Sequence, residues 1–378
     1  MKKESFCAHP FKTIFLDTDG KVKTCCTARD SIGNLHKQSI EEILEGDRIK
    51  EIRRGIITGD WDKKNCSQCI DIESIGGHTE RAGTIHQYEE MKDFTEDDFE
   101  LQNIDLRWNN TCNLACNYCY ENQSSKWASA LNKRIPQLKD TQNLLNYVRK
   151  NKQTMRQVGL LGGEPLLLKE NVQLVEMFDD VPTAYINLLS NFAVPFQNNP
   201  LVKKLLKMDR VNWAISFENV GNRFEYVRHG ASWKMFTENV DFCLNRGISL
   251  TTNSTYNIYS AFNLKEFYEY TTPFINHMYW SPILSPSHLS VYNLPLELRK
   301  KAYDHVSEVL DIYGSNPNHI HGLEGLRDNL LLENDNDTIN RPNDVLKWTE
   351  NLEKMFKKEH TFRELWPNLF DILVLVGK

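Results

Sequence analysis

Three cysteines, Cys112, Cys116 and Cys119, fall within the stretch TCNLACNYCY, directly behind the apolar run NIDLRW at 103–108. A short β-rich run followed by a polar loop reads as a strand and its C-terminal turn. In β/α enzymes that turn carries the chemistry. Three thiolates from one short loop can bind three irons of a 4Fe-4S cluster, whereas a closed electron-transfer cluster takes four cysteines. One iron then stays open to a substrate or cofactor. Closely spaced cysteines also build tetrahedral zinc sites, but zinc wants a fourth ligand at similar spacing and none follows Cys119 closely.

The rhythm around this loop repeats along the chain. Further strands are expected at 158–161, 185–190, 211–216, 248–253 and 277–281, with helices between them at 138–150, 168–179, 198–208, 232–245 and 263–271. Strands alternating with helices imply parallel β-α units with right-handed crossovers. The expected fold is therefore α/β, a partial (β/α)6 barrel over 101–290 with its site at the C-terminal strand ends. After it, Pro295 opens a helix to about Tyr313 and 344–357 reads as another, so 291–378 is expected to be a helical extension.

Ahead of the barrel, FKTIFLDTDGKVKTCC reads as a hairpin turning at Asp19-Gly20, and SIEEILEGDRIKEIRRGI as helical. These define a small domain over 1–75. A polar segment, 76–100, with Gly76-Gly77 at its start, then connects it to the barrel. No internal repeat or low-complexity tract is present.

The chain has 378 residues, nine cysteines and a formal net charge of -6. Its Lys and Arg residues are scattered, which leaves no footprint for a phosphate backbone, so nucleic acid is not an expected partner. No apolar run approaches the length of a membrane helix, and MKKESFCAHPFK lacks a signal-peptide core, so a cytoplasmic protein without membrane contact is expected. In a reducing cytosol, cysteines concentrated in the first third of a chain are more often metal ligands than disulfides.

The triad, with Tyr118 just before its last cysteine, resembles the signature of the radical S-adenosylmethionine (radical SAM) family. The resemblance implies that S-adenosylmethionine chelates the open iron. Its reductive cleavage then yields a 5'-deoxyadenosyl radical, which takes a hydrogen atom from the substrate. Leu161-Gly162-Gly163-Glu164-Pro165 resembles the family's GGE motif, whose backbone and carboxylate receive the methionine ammonium. Glycines let the backbone approach a ligand, and a carboxylate suits that cation. Ser190-Asn191 resembles the family's Ser/Thr-Asn pair at the third strand end. Ser216, with Arg228 after it, resembles a fourth-strand element contacting ribose and carboxylate. Glu218-Asn219 stands where many relatives carry Asp-Gly. The resemblance thus makes Tyr118, Gly162, Gly163, Glu164, Ser190, Asn191, Ser216 and Arg228 candidates for binding the cofactor, and implies a flavodoxin or ferredoxin-type reductant.

Twelve residues separate Cys7 from Gly20 and four separate Gly20 from Cys25, a spacing that resembles the SPASM and twitch auxiliary-cluster domains. Cys66-Ser67-Gln68-Cys69 adds a pair. The resemblance implies that Cys7, Cys25, Cys66 and Cys69 fully ligate a second 4Fe-4S cluster of the one-cluster, twitch kind. A zinc ribbon is the alternative, and Cys26 could replace Cys25. Most relatives carry this domain after the barrel. Cys243 is expected to be a core cysteine, His319 and His321 exposed loop residues, and Trp280 either core or adenine packing.

The expected function is a radical SAM oxidoreductase or modifying enzyme with two 4Fe-4S clusters. Relatives with such auxiliary domains often modify peptides or proteins, so oxidative modification of a peptide or protein is expected. Dehydrogenation or epimerisation of a sugar or aminocyclitol, or a noncatalytic metal-binding scaffold, are the alternatives. Gly162, Gly163 and Glu164 behind an intact triad argue against the scaffold, which has no need of an ammonium-binding carboxylate.

Overall fold

A computed structural model describes all residues except 75–78, 333–340 and 378. Gly76-Gly77 and most of the polar stretch ahead of the helix expected at 344–357 therefore lie outside the described residues. The strands are β1 (Thr13–Leu16), β2 (Lys21–Lys23), β3 (Gly33–Asn34), β4 (Asn103–Leu106), β5 (Ala115–Cys116), β6 (Gln157–Leu160), β7 (Tyr185–Ser190), β8 (Val211–Ile215), β9 (Arg228–His229), β10 (Leu250–Tyr256) and β11 (Ile275–Pro282). The chain divides into two compact units, one of residues 1–112, 134–188 and 198–211, the other of 113–133, 189–197 and 212–378.

In the first unit the strands run in the order β7, β6, β4, β1, β2, β3. Strands β4, β6 and β7 pair in parallel, as β-α succession requires. β1 and β2 form the antiparallel hairpin expected at Asp19-Gly20. Gly20 adopts φ +78° there and donates its N–H to the Asp17 carbonyl at 2.9 Å. The left-handed backbone is what a glycine tolerates at no steric cost. β1 also pairs in parallel with β4, Thr13 opposite Asn103 through Leu16 opposite Leu106. The hairpin thus continues the sheet beyond the first strand of the β-α series.

The helical stretch after the hairpin is two helices, Ile40–Leu44 and Asp47–Thr58, broken at Gly46. Ser39 and Glu42 close a reciprocal capping box on the first. Both bury an isoleucine face, and the buried Arg53 donates to the carbonyls of Pro10, Leu44 and Glu96. Residues 80–91 form three short helical turns, with Met91 buried.

In the second unit β8, β10 and β11 are parallel, and β5 pairs with β9 antiparallel. Helices Trp233–Leu244 and Leu264–Thr271 follow β8 and β10 as expected from periodicity. The helix behind Pro295 is Leu296–Tyr313, and Arg341–Phe356 and Pro367–Val376 complete the C-terminal region. Burial alternates along β4, β7 and β10. Such strands pack one face and keep a partly exposed row on the other, here Asn103 and Asp105, Asn187 and Leu189, and Thr251, Asn253 and Thr255. Cys243 and Trp280 are core: the first is fully buried, and the second donates its indole N–H to the Tyr268 hydroxyl at 3.1 Å.

Candidate active site

The N-terminal cysteines converge. Cys7, Cys25, Cys66 and Cys69, separated by up to 62 residues of sequence, line one cavity together with Thr27 and Trp61. The hairpin end supplies Cys25 and the helix Ser67–Ser74, with the residue just before it, supplies Cys69 and Cys66. The Thr27 hydroxyl lies 3.4 Å from the Cys25 sulfur and 3.9 Å from that of Cys69. Cys26, next in sequence, is exposed and does not line the cavity.

Burial pushes the Cys7 thiol well above its usual range, and Cys25, Cys66 and Cys69 push it further. Burial likewise drives Cys66 up to about 11, with Cys25, Asp62 and Cys69 adding to the shift. Neighbouring thiols that resist ionisation need a cation to become thiolates together. A 4Fe-4S cluster is held by four thiolates around a larger body, and the donor set here suits it.

The GGE element sits at the end of β6. Gly162 has φ +124°, and a Cβ on Gly163 would stand 2.3 Å from the Thr111 carbonyl oxygen and 2.7 Å from that of Asn110. Only a residue without Cβ lets the chain come so close to the segment preceding Cys112. The Glu164 amide donates to the Thr111 carbonyl at 2.8 Å, and the buried Glu164 carboxylate accepts from the Leu166 N–H at 3.1 Å. These contacts are within the first unit, which ends this stretch of chain at Cys112.

Cys116 and Cys119 lie in the second unit, where the Cys119 amide donates to the Cys116 carbonyl at 2.9 Å and closes a turn. β5 and β9 place Cys116 opposite Arg228. Arg228 donates to Glu218 at 2.6 Å and to the Ser216 hydroxyl at 3.3 Å, while the Tyr118 hydroxyl donates to Glu218 at 3.1 and 3.2 Å. The Arg228 and Glu218 side chains are 3% and 1% exposed. Burial alone would lower the Arg228 pKa, but Glu218 more than offsets this and leaves it raised. Burial raises the Cys116 thiol, with Arg228 acting against it.

Ser216, Arg228 and Tyr118 are therefore brought together, around a carboxylate that the sequence had marked only as a departure from a pattern. Ser190 accepts from the Phe192 amide at 3.1 Å. Asn191 accepts from the Ala193 amide at 2.8 Å and donates to Asn113, the residue after Cys112, at 3.0 Å. Their pairing steadies the start of the cysteine loop. Two indoles also bond to that loop: Trp127 donates to the Cys116 carbonyl at 2.8 Å and Trp348 to the Asn117 carbonyl at 3.2 Å. A tryptophan 231 residues away from its partner carries no local sequence signal.

Residues 107–269 match the radical SAM superfamily, and residues 7–70 match the SPASM iron-sulfur cluster-binding domain. The chain carries a radical SAM domain and, ahead of it, a SPASM-type iron-sulfur domain. The radical SAM domain brings a 4Fe-4S cluster and S-adenosylmethionine, and the SPASM domain brings further iron-sulfur ligation. No curated protein sequence matches the chain. Among solved structures it is similar to native anSMEcpe with bound AdoMet, at 14% identity and TM-score 0.45, over 58% of this chain and 63% of that one. It is also similar to native anSMEcpe with bound AdoMet and the Kp18Cys peptide, at 14% identity and TM-score 0.43, over 58% and 62%. Methylornithine synthase (PylB) matches at 13% identity and TM-score 0.37, over 76% and 90%. The chain thus spans less than two thirds of the anSMEcpe chains. Among the described residues no helix is long and apolar enough to cross a membrane.

Proposed function

We propose that this protein cleaves S-adenosylmethionine reductively and oxidatively modifies a peptide or protein. Cys112, Cys116 and Cys119 are assigned to the catalytic cluster, and Cys7, Cys25, Cys66 and Cys69 to an auxiliary one, with Cys25 preferred to Cys26. When bound, the catalytic cluster supplies the electron that opens the sulfonium. Glu164 is assigned the methionine ammonium. Gly162 and Gly163 give the backbone its close approach, and the Glu164 amide bond to Thr111 fixes the carboxylate relative to the chain entering Cys112. The Ser216, Glu218, Arg228 and Tyr118 group supports the cysteine loop from behind, through the pairing of β5 with β9. A flavodoxin or ferredoxin-type protein is the proposed electron donor.

The observation that carries the oxidative reading is the closed donor set of the N-terminal cavity. Four cysteines leave no iron open for substrate, which suits electron transfer. A substrate radical, already one hydrogen short, that passes an electron to such a centre and a proton to a base ends two hydrogens lighter. The preference for a peptide or protein over a sugar-like molecule follows from the SPASM-type domain. Changing Cys69 to Ala should preserve reductive formation of 5'-deoxyadenosine and abolish product with a mass loss of two hydrogens. Product at the parent rate from a folded Cys69→Ala protein with its catalytic cluster intact would make the auxiliary centre structural and remove the oxidative reading. Proteomic comparison of cells with and without the protein, searching for that mass loss, would identify the substrate.

A further inference from the structure

The C-terminal region returns to the catalytic loop. Helix Arg341–Phe356 brings Trp348 against Trp127, the rings nearly parallel with centroids 6.1 Å apart, and Phe356 edge-on to Trp127 at 5.1 Å. Ala115, Trp127 and Leu352 form a buried cluster on which Cys119, Trp348 and Phe356 pack. Just past the helix, the Lys358 ammonium donates to the Asn117 side-chain oxygen at 3.0 Å and to the Tyr226 carbonyl, and lies 4.6 Å from the centre of the Tyr226 ring.

Asn117 follows Cys116 directly, is fully buried, and has its own amide bonded to the Val227 carbonyl at 2.8 Å. Lys358 is thus tied to the one residue that separates Cys116 from Tyr118. Its bond partners here are neutral oxygens. Burial draws its pKa down to about 8, and Cys116 and Glu353 resist the fall, so it carries its charge through neutral pH. Arg228, a fully buried cation against this loop where Lys358 is only partly buried, is paired with Glu218 at 2.6 Å. Lys358 bonds only to neutral oxygens, has Glu353 as an electrostatic neighbour, and interacts electrostatically with Cys116.

We infer that the C-terminal segment tunes the catalytic cluster, with Lys358 as a positioning residue whose charge beside Cys116 raises the cluster's reduction potential and so eases its one-electron reduction. This rests on the assignment of Cys112, Cys116 and Cys119 as that cluster's ligands. The physical reason is simple: the reduced cluster carries one more negative charge, and a cation in a partly desolvated setting favours that state. Trp127 and Trp348, donating to the carbonyls of Cys116 and Asn117, keep the loop against the cation.

The test is an anaerobic redox titration of the full-length, iron-loaded protein, followed by electron paramagnetic resonance, with the auxiliary cluster as internal reference. Lys358→Met and Lys358→Gln should make the catalytic cluster about tenfold harder to reduce, a fall of about 59 mV for one electron. Lys358→Arg should stay within twofold of the parent. Lys354→Met, which removes an exposed lysine of helix Arg341–Phe356 paired to Glu350, should also leave the midpoint in place. A midpoint within twofold of the parent in either uncharged variant, or loss of iron in both, overturns the inference in favour of a structural lysine. The ligand assignment fails separately, if the triple change of Cys112, Cys116 and Cys119 to Ala removes no iron.

Discussion

Glu218 is the residue whose removal tests most sharply how the cysteine loop is held. Its carboxylate and the Arg228 guanidinium meet at 2.6 Å with almost no exposure, and Tyr118 donates to the same carboxylate. At an effective dielectric near 20, two unit charges at that distance attract by about 6 kcal/mol. Desolvation consumes much of this, and breaking such a buried pair on one side costs about 3 to 5 kcal/mol, because the remaining charge is left without compensation. Glu218→Gln preserves the shape and an acceptor for Tyr118 but strands Arg228. Urea denaturation of the apoprotein should show a loss near the lower end of that range. The second change, Arg228→Met on top of Glu218→Gln, should recover a large part of it. Because β9 carries Arg228 opposite Cys116, iron should be lost from the catalytic cluster and retained at the auxiliary one. A loss below about 1 kcal/mol, or no recovery in the double variant, would refute the reasoning, since exposed pairs are worth no more than that.

Other expectations follow from the same geometry. Glu164→Ala should weaken S-adenosylmethionine binding by about 1.5 to 3 kcal/mol through loss of a charge-assisted contact, and unchanged affinity by calorimetry would show the motif to be misplaced. Asp105 on β4 lies over Gly159, where a Cβ would stand 2.0 Å from its carboxylate oxygen, and burial pushes its carboxyl up to about 6. A carboxyl raised on folding holds its proton more tightly in the folded state. It therefore costs nothing below the ordinary carboxylate range, and its penalty on the fold grows as pH rises from that range through 6. Asp105→Asn should then stabilise the apoprotein by about 3 kcal/mol at pH 8 and leave it nearly unchanged at pH 3. Equal effects at both pH values would contradict the shift.

The β-α series was legible because it is written in local periodicity: IDL, INLL and the alternating LTTNSTY of β10 announce themselves without reference to distant residues. The four N-terminal cysteines were legible as a group because their spacing matched a ligand set, and the structure brings Cys7, Cys25, Cys66 and Cys69 to one cavity. Three other features had no such signal. The parallel pairing of β1 with β4 joins residues 90 apart, and nothing local in TIFL distinguishes an inserted edge from an independent hairpin. Glu218 stood out only as a departure from Asp-Gly, and its role depends on Arg228 folding back across ten residues. Lys358 reads as one of several charges near a helix end. Its position against Asn117, 241 residues earlier, is set by aromatic packing among Trp127, Trp348 and Phe356 that no periodicity encodes.

The central claim is that seven cysteines divide between two iron-sulfur clusters, three holding the catalytic one and four the auxiliary. Iron and sulfide quantitation on anaerobically reconstituted protein tests it most directly. The parent should hold about eight irons, and the triple change of Cys112, Cys116 and Cys119 to Ala should hold about four, with the auxiliary signal intact. A colourless protein containing zinc, or a triple variant that keeps its full iron content, would contradict the account.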